Sequence, residues 1–142
     1  MSEHTKVRWG WLKAMYIITA GVAGGFGLGI ILIPDVMISL FRWPGQDPLV
    51  FGVTGSVYLS FAVLSILGLR SPLKFVPVLL LQLSYKSIWL VGVVLPLLVA
   101  GKLPVYSLLP IAIFVTIIVG DIIAIPFSYL FTKEPCPLMR SA

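Results

Sequence analysis

The sequence predicts an all-α integral membrane protein: four transmembrane helices in one bundle, with a short interfacial segment between helices 1 and 2. Three observations predict it. Hydrophobic residues make up 59% of the 142 residues and charged residues 11%, against about 25% charged in a soluble domain. The mean hydropathy is +1.09, so there is too little polar surface to face water on all sides. Apolar runs near the roughly 20-residue length needed to cross a bilayer recur at about 9–33, 50–68, 75–99 and 105–131, separated by short turns rich in Pro, Gly and basic residues. The chain is read as one membrane domain, 1–142.

Composition also excludes whole classes of chemistry. The net charge is +5, but the basic residues stand mostly at helix ends, where they orient the spans. No basic stripe or stacking platform for nucleic acid is visible. The one cysteine, Cys136, and the one histidine, His4, rule out an internal disulfide, a CxxC relay and bis-histidine haem within one chain. A zinc or iron site and a histidine-activated nucleophile are likewise not expected. No catalytic residue, metal or cofactor is assigned.

The first element follows a polar tail, 1–8. Lys6, Arg8 and Lys13 precede an apolar run, but the run exceeds the 7–15 residues of a signal-peptide core, so a retained span over 9–33 is expected. Gly21, Gly25 and Gly29 form two overlapping GxxxG steps, with Gly24 and Gly27 as further small surface. The stripe predicts close approach of a neighbouring helix. Pro34 should end this span or lie in its last turn. Val36, Met37, Leu40, Phe41 and Trp43 then suggest a short amphipathic segment on the interface, closed by the turn Pro44-Gly45. Asp35, Arg42 and Asp47 read as solvated loop charges at headgroup depth.

The second span, 50–68, repeats a small-residue pattern at Gly52, Ser56 and Ser60, and is expected to pack on the first. Tyr58 lies near its middle, where a hydroxyl needs a partner. The third span, 75–99, has Pro77 in its first turn and Pro96 near its far end, where a kink is expected. The fourth, 105–131, carries Asp121 and, about one turn on, Pro126, which should kink it locally. Thr132 to Ala142 is a polar tail.

Four spans place both termini on one side. That side receives Lys6, Arg8, Lys13, Arg70, Lys74, Lys133 and Arg140, and the other Arg42 and Lys102. The bias predicts cytoplasmic termini, with Cys136 a free thiol in a reducing compartment.

The stretch that calls for explanation is Gln82 to Trp89. A lysine at the centre of a span costs about 2.5–3.5 kcal/mol. Gln82, Lys86 and Trp89 follow i, i+4, i+7 spacing with Tyr85 beside them, so all four share one broad helix face. Asp121 is the other deep ionisable residue. Measured from the span midpoints near 87 and 118, Lys86 and Asp121 differ in depth by about 3 Å, within reach of a lysine side chain. They are expected to pair, with Tyr58, Ser60 and Gln82 at similar depth completing a polar pocket.

Gly68-Leu69-Arg70-Ser71-Pro72, the Gln82-x-x-Tyr85-Lys86-x-x-Trp89 helix and Gly120-Asp121-Ile122-Ile123-Ala124-Ile125-Pro126 resemble small bacterial four-helix proteins of the DoxX-like kind. The resemblance covers all four spans in layout and is specific in the second half. It implies a bacterial inner-membrane setting and a lipophilic ligand, since some members are named as subunits or accessories of quinol- or sulfur-oxidising membrane systems.

The expected function is a small membrane subunit or binding protein rather than an enzyme. Tyr58, Gln82, Tyr85, Lys86, Trp89 and Asp121 would form a polar pocket for a lipophilic headgroup such as a quinone. The alternatives are a dimeric ion- or proton-coupled carrier titrating at Asp121, and a purely structural subunit in which the buried pair fixes helix register. Expected partners are membrane lipids, such a ligand, and further copies or subunits of a membrane complex.

Overall fold

The computed structural model describes residues 6–132. The readings for His4, Lys133, Glu134, Cys136 and Arg140 lie outside the described residues. The described residues are all-α, with no strand. In chain order the helices are α1 (Trp9–Leu32), α2 (Pro34–Phe41), α3 (Pro48–Arg70), α4 (Val76–Trp89), α5 (Leu95–Val99), α6 (Leu108–Ala124) and α7 (Phe127–Phe131). A π-helical turn, Leu90–Val94, joins α4 to α5, and a 3₁₀ turn, Val105–Ser107, leads into α6. Four stretches are long and apolar enough to cross a membrane: Trp9–Leu32, Pro48–Arg70, Val76–Val99 and Val105–Ala124. Their outward surface is apolar, with Ile17, Leu64, Val91, Leu109 and Ile122 exposed, as a lipid-facing surface requires.

The segment between α1 and α3 is more structured than a loop. Pro34 starts α2 rather than ending α1, a position where its missing N–H costs nothing. Arg42 closes α2 in the left-handed region, φ 52°. Asp47 is not a loose loop charge: its carboxylate accepts from the Leu49 and Val50 N–H groups at 2.9 and 3.0 Å and caps α3. Only part of α2 lies on the surface. Leu40 and Val36 are exposed, but Met37 is buried, and Ile38, Phe41 and Trp43 pack inward on Ile30 and Phe51.

The first and second spans do pack together, but not through the expected stripes. A Cβ at Gly21, Gly25 or Gly52 would meet nothing within 4 Å. Ser56 and Ser60 are exposed, their hydroxyls donating to the Gly52 and Ser56 carbonyls. The interface uses the next face round. A Cβ on Gly27 would stand 2.7 Å from the Leu59 nitrogen and 2.9 Å from the Gly55 carbonyl, and one on Gly24 would stand 3.4 Å from the Ala62 Cβ. Three glycines at spacing four drift round a 3.6-residue helix, and the buried row of α1 instead follows Tyr16, Thr19, Ala23, Gly27 and Ile30.

At the end of the bundle nearest the termini, Leu12, Met15, Tyr16, Val76, Leu79, Ile117, Ala124 and Ile125 form one buried cluster. The Tyr16 hydroxyl donates to the Pro72 carbonyl at 2.7 Å. Gly68 lies against the Tyr16 ring and Gly120 against Met15, each so close that a Cβ would come within 2.6 Å. Pro126 does more than kink the fourth span. The α-helix stops at Ala124, Ile125 turns extended at ψ 122°, and the short α7 follows, because proline excludes the helical conformation from the residue before it. Near Pro96 the third span answers with the π turn, in which the Leu95 N–H reaches back five residues to Leu90. The wider turn relieves the clash that the proline ring would make with a carbonyl four residues earlier.

Candidate functional site

The other end of the bundle holds a partly open cavity of about 520 Å³. α1 contributes Thr19, Val22, Ala23, Phe26 and Ile30. α3 contributes Phe51, Thr54 and Tyr58, α4 contributes Gln82, Tyr85, Lys86 and Trp89, and α6 contributes Pro110, Ile113, Phe114 and Ile117. Trp43, Pro44 and Gln46 line it from the α2–α3 connection, and Tyr106 and Ser107 from the turn before α6.

Aromatic rings form a large part of the wall and of the packing behind it. Phe26, Phe41 and Trp43 form a chain, with Phe26–Phe41 centroids 5.1 Å apart and Phe41 stacked on Trp43 at 5.0 Å. Trp43 meets Phe51 edge-on at 5.8 Å. Deeper in, Tyr85 meets Phe61 at 5.4 Å, and Phe114 lies edge-on to Tyr85 and Trp89 at 6.1 and 5.1 Å. The π turn begins directly after Trp89, so the helix that carries the polar face changes its pitch at the cavity.

Lys86 is the only charged side chain lining the cavity among the described residues. Its Nζ lies 4.8 Å from the Tyr85 ring centroid and 5.2 Å from that of Phe114. Ring faces attract a cation, and do so more strongly where water is excluded. The lysine is therefore held by aromatic rings and not by a carboxylate.

The expected direct pair with Asp121 is not made; Asp121 is bound by Gln82 instead. Asp121 is fully buried, at 0% exposure, and does not reach the cavity wall. Gln82 stands in the way: its Nε2 donates to Asp121 Oδ2 and to Thr19 Oγ1, both at 3.0 Å. The contact lies one turn from the expected one: the residue on α4 that meets Asp121 is Gln82, four positions before Lys86. Two buried polar atoms among the described residues keep no partner, Asp121 Oδ1 and Ser65 Oγ. The Ser60 expected in the pocket is on the lipid-facing side, its hydroxyl satisfied within α3.

Of the six residues selected from the sequence, Tyr58, Gln82, Tyr85, Lys86 and Trp89 line the one cavity, and Asp121 lies one hydrogen bond behind it. Thr19, Phe26, Trp43 and Phe114 were missed. A signal existed for three of them. Phe114, Ile117 and Asp121 stand at i, i+3, i+7 on α6, and Thr19 and Phe26 are seven apart on α1, so a search back from Asp121 along its own face finds Phe114.

The arrangement can bind an elongated, largely apolar molecule by burial and ring contact, and orient one polar end at Lys86 and Gln82. No group of three or more His, Cys, Asp or Glu residues able to hold a metal occurs among the described residues. The chain matches no family model, no curated protein and no solved structure.

Proposed function

We propose that this chain is a small multi-pass protein of the bacterial inner membrane, DoxX-like in kind, that binds a lipophilic ligand with an oxygen-bearing head, such as a quinone, as a binding protein or membrane-complex subunit. One observation carries the reading: among the described residues, Lys86, framed by Tyr85 and Phe114 and in direct ion-pair contact with no carboxylate, is the single charge on the wall of a largely apolar and aromatic cavity. Holding a cation there without a counter-ion is costly, and a ligand oxygen that accepts from the ammonium offsets that cost. A planar head would lie against Tyr85, Trp89 and Phe114 on the cavity side, with the apolar remainder along Val22, Phe26 and Ile30.

The test is titration of the detergent-purified protein with decylubiquinone, read by quenching of tryptophan fluorescence, since Trp43 and Trp89 line the cavity. A hydrogen bond to a charged group contributes about 1.5–3 kcal/mol, so Lys86→Met should weaken binding by roughly 10- to 100-fold. Equal affinity in the two proteins would overturn the reading. The carrier alternative has less support, because Asp121 does not face the cavity. We propose cytoplasmic termini on the basic-residue bias. Reporter fusions at the N-terminus and after Ala142 should both report cytoplasm, and one near Gly45 the outside. Native mass spectrometry of the extracted protein tests for further copies or subunits.

A further inference from the structure

The polar end of the cavity holds more than the lysine. Gln82 is 1% exposed and belongs to the cavity wall. A primary amide has two N–H donors and one carbonyl acceptor. Both donor bonds are made, to Thr19 and to Asp121, so Oε1 is the one polar atom of the side chain left for a ligand. It is also not one of the two buried, unpartnered side-chain atoms among the described residues, Asp121 Oδ1 and Ser65 Oγ. The carbonyl oxygen is therefore reached from the cavity. One helical turn along the same face of α4, Lys86 presents a donor to that space.

We infer that this end of the cavity reads an aromatic O–H group: Gln82, fixed by Thr19 and Asp121, offers an acceptor beside the Lys86 donor, so the site favours a phenolic or hydroquinone head over one with only carbonyl or ether oxygens. The inference rests on the ligand-binding reading above and narrows its ligand class. A phenolic hydroxyl can accept from Lys86 and donate to Gln82 Oε1. A quinone or ether oxygen satisfies the lysine and leaves Oε1 without a donor, and an unmet buried acceptor discriminates strongly against such a ligand. Asp121, behind the cavity wall, and Thr19, on it, act here as positioning residues by deciding which end of the amide faces the ligand. The buried carboxylate, unexplained by the expected ion pair, has a role in this arrangement.

The experiment compares 4-decylphenol with 1-decyl-4-methoxybenzene, which differ at the O–H, by tryptophan quenching of the detergent-solubilised full chain at neutral pH. Decylubiquinone is titrated in parallel. The phenol should bind at least tenfold more tightly than its methyl ether. Gln82→Leu should bring that ratio near one, the phenol binding less tightly and the ether more tightly than to the unmodified protein. Thr19→Val and Asp121→Asn each free one anchor of the amide and should narrow the ratio several-fold without weakening the ether, which a merely structural role would not do. They also carry the test should Gln82→Leu fail to fold. A ratio near one in the unmodified protein, with decylubiquinone bound, overturns this inference alone. So does an unchanged ratio in the variants that fold. Binding of none of the three compounds overturns the ligand-binding reading and this inference with it.

Discussion

The two ends of the bundle solve the same problem differently. Near the termini, α1 presents Leu12, Met15 and Tyr16 to α4 and α6, and the space between helices is filled with side chains. Toward the other end the same face of α1 presents Ala23, Phe26 and Ile30, and the space between α1, α4 and α6 stays open. The difference comes from where small residues sit. Gly68 and Gly120 let α3 and α6 close onto Tyr16 and Met15. Gly24, Gly27 and Gly55 close only the α1–α3 seam, while the rings of Tyr85, Trp89 and Phe114 on α4 and α6 contact one another and Phe61 of α3 and leave the space toward α1 unfilled. In lipid no hydrophobic force pulls helices together, so a gap persists wherever side-chain shape does not fill it.

That contrast can be broken most severely at the seam. Gly27→Leu should destabilise the protein by about 3 kcal/mol or prevent folding, because its new side chain meets α3 backbone and not a movable side-chain end. Gly25→Leu, on the open side of the same helix, should change stability by less than about 0.5 kcal/mol. Thermal unfolding in detergent separates the two. Equal losses would mean that α1 is rotated relative to the packing described.

A smaller effect is expected at the packed end. Tyr16→Phe removes the donor to the Pro72 carbonyl while keeping the ring against Gly68. It should cost about 1 kcal/mol, measured by the same unfolding assay, and leave decylubiquinone affinity unchanged. A loss of affinity would show that the two ends are coupled, and the comparison between them would need to be redrawn as one continuous site.

The sequence makes the spans legible because apolar length is enough to define them, and the polar face of α4 legible because helical spacing puts Gln82, Tyr85, Lys86 and Trp89 together. Partnership across helices was much less legible. The Gly21–Gly25–Gly29 stripe and the row that really packs lie on neighbouring faces of one glycine-rich helix, and motif spacing alone does not say which face meets α3. Trp43 was read as an interfacial residue because its segment is amphipathic. Its turn inward depends on Arg42 adopting a left-handed backbone and on the ring stack with Phe41, neither of which has a local signature.

The smallest effect expected is the most informative about the site. Depth along the spans suggested that Lys86 and Asp121 form a buried ion pair, for which a double-mutant cycle should return about 1 kcal/mol or more. The structure assigns Asp121 to Gln82 and leaves Lys86 to the rings of Tyr85 and Phe114. A cycle built from Lys86→Met and Asp121→Asn should therefore give a coupling below about 0.5 kcal/mol, as for residues without a shared contact. A parallel cycle from Gln82→Leu and Asp121→Asn should give about 1 kcal/mol, since those two side chains touch. Lys86→Met should also be tolerated in stability, because it replaces a cation that no carboxylate of the described residues contacts directly with an apolar chain of similar length beside aromatic rings. If the first coupling instead equals or exceeds the second, the ammonium and the carboxylate are partners after all. The polar end of the cavity would then be neutral as a pair, and the lysine would not be available to a ligand.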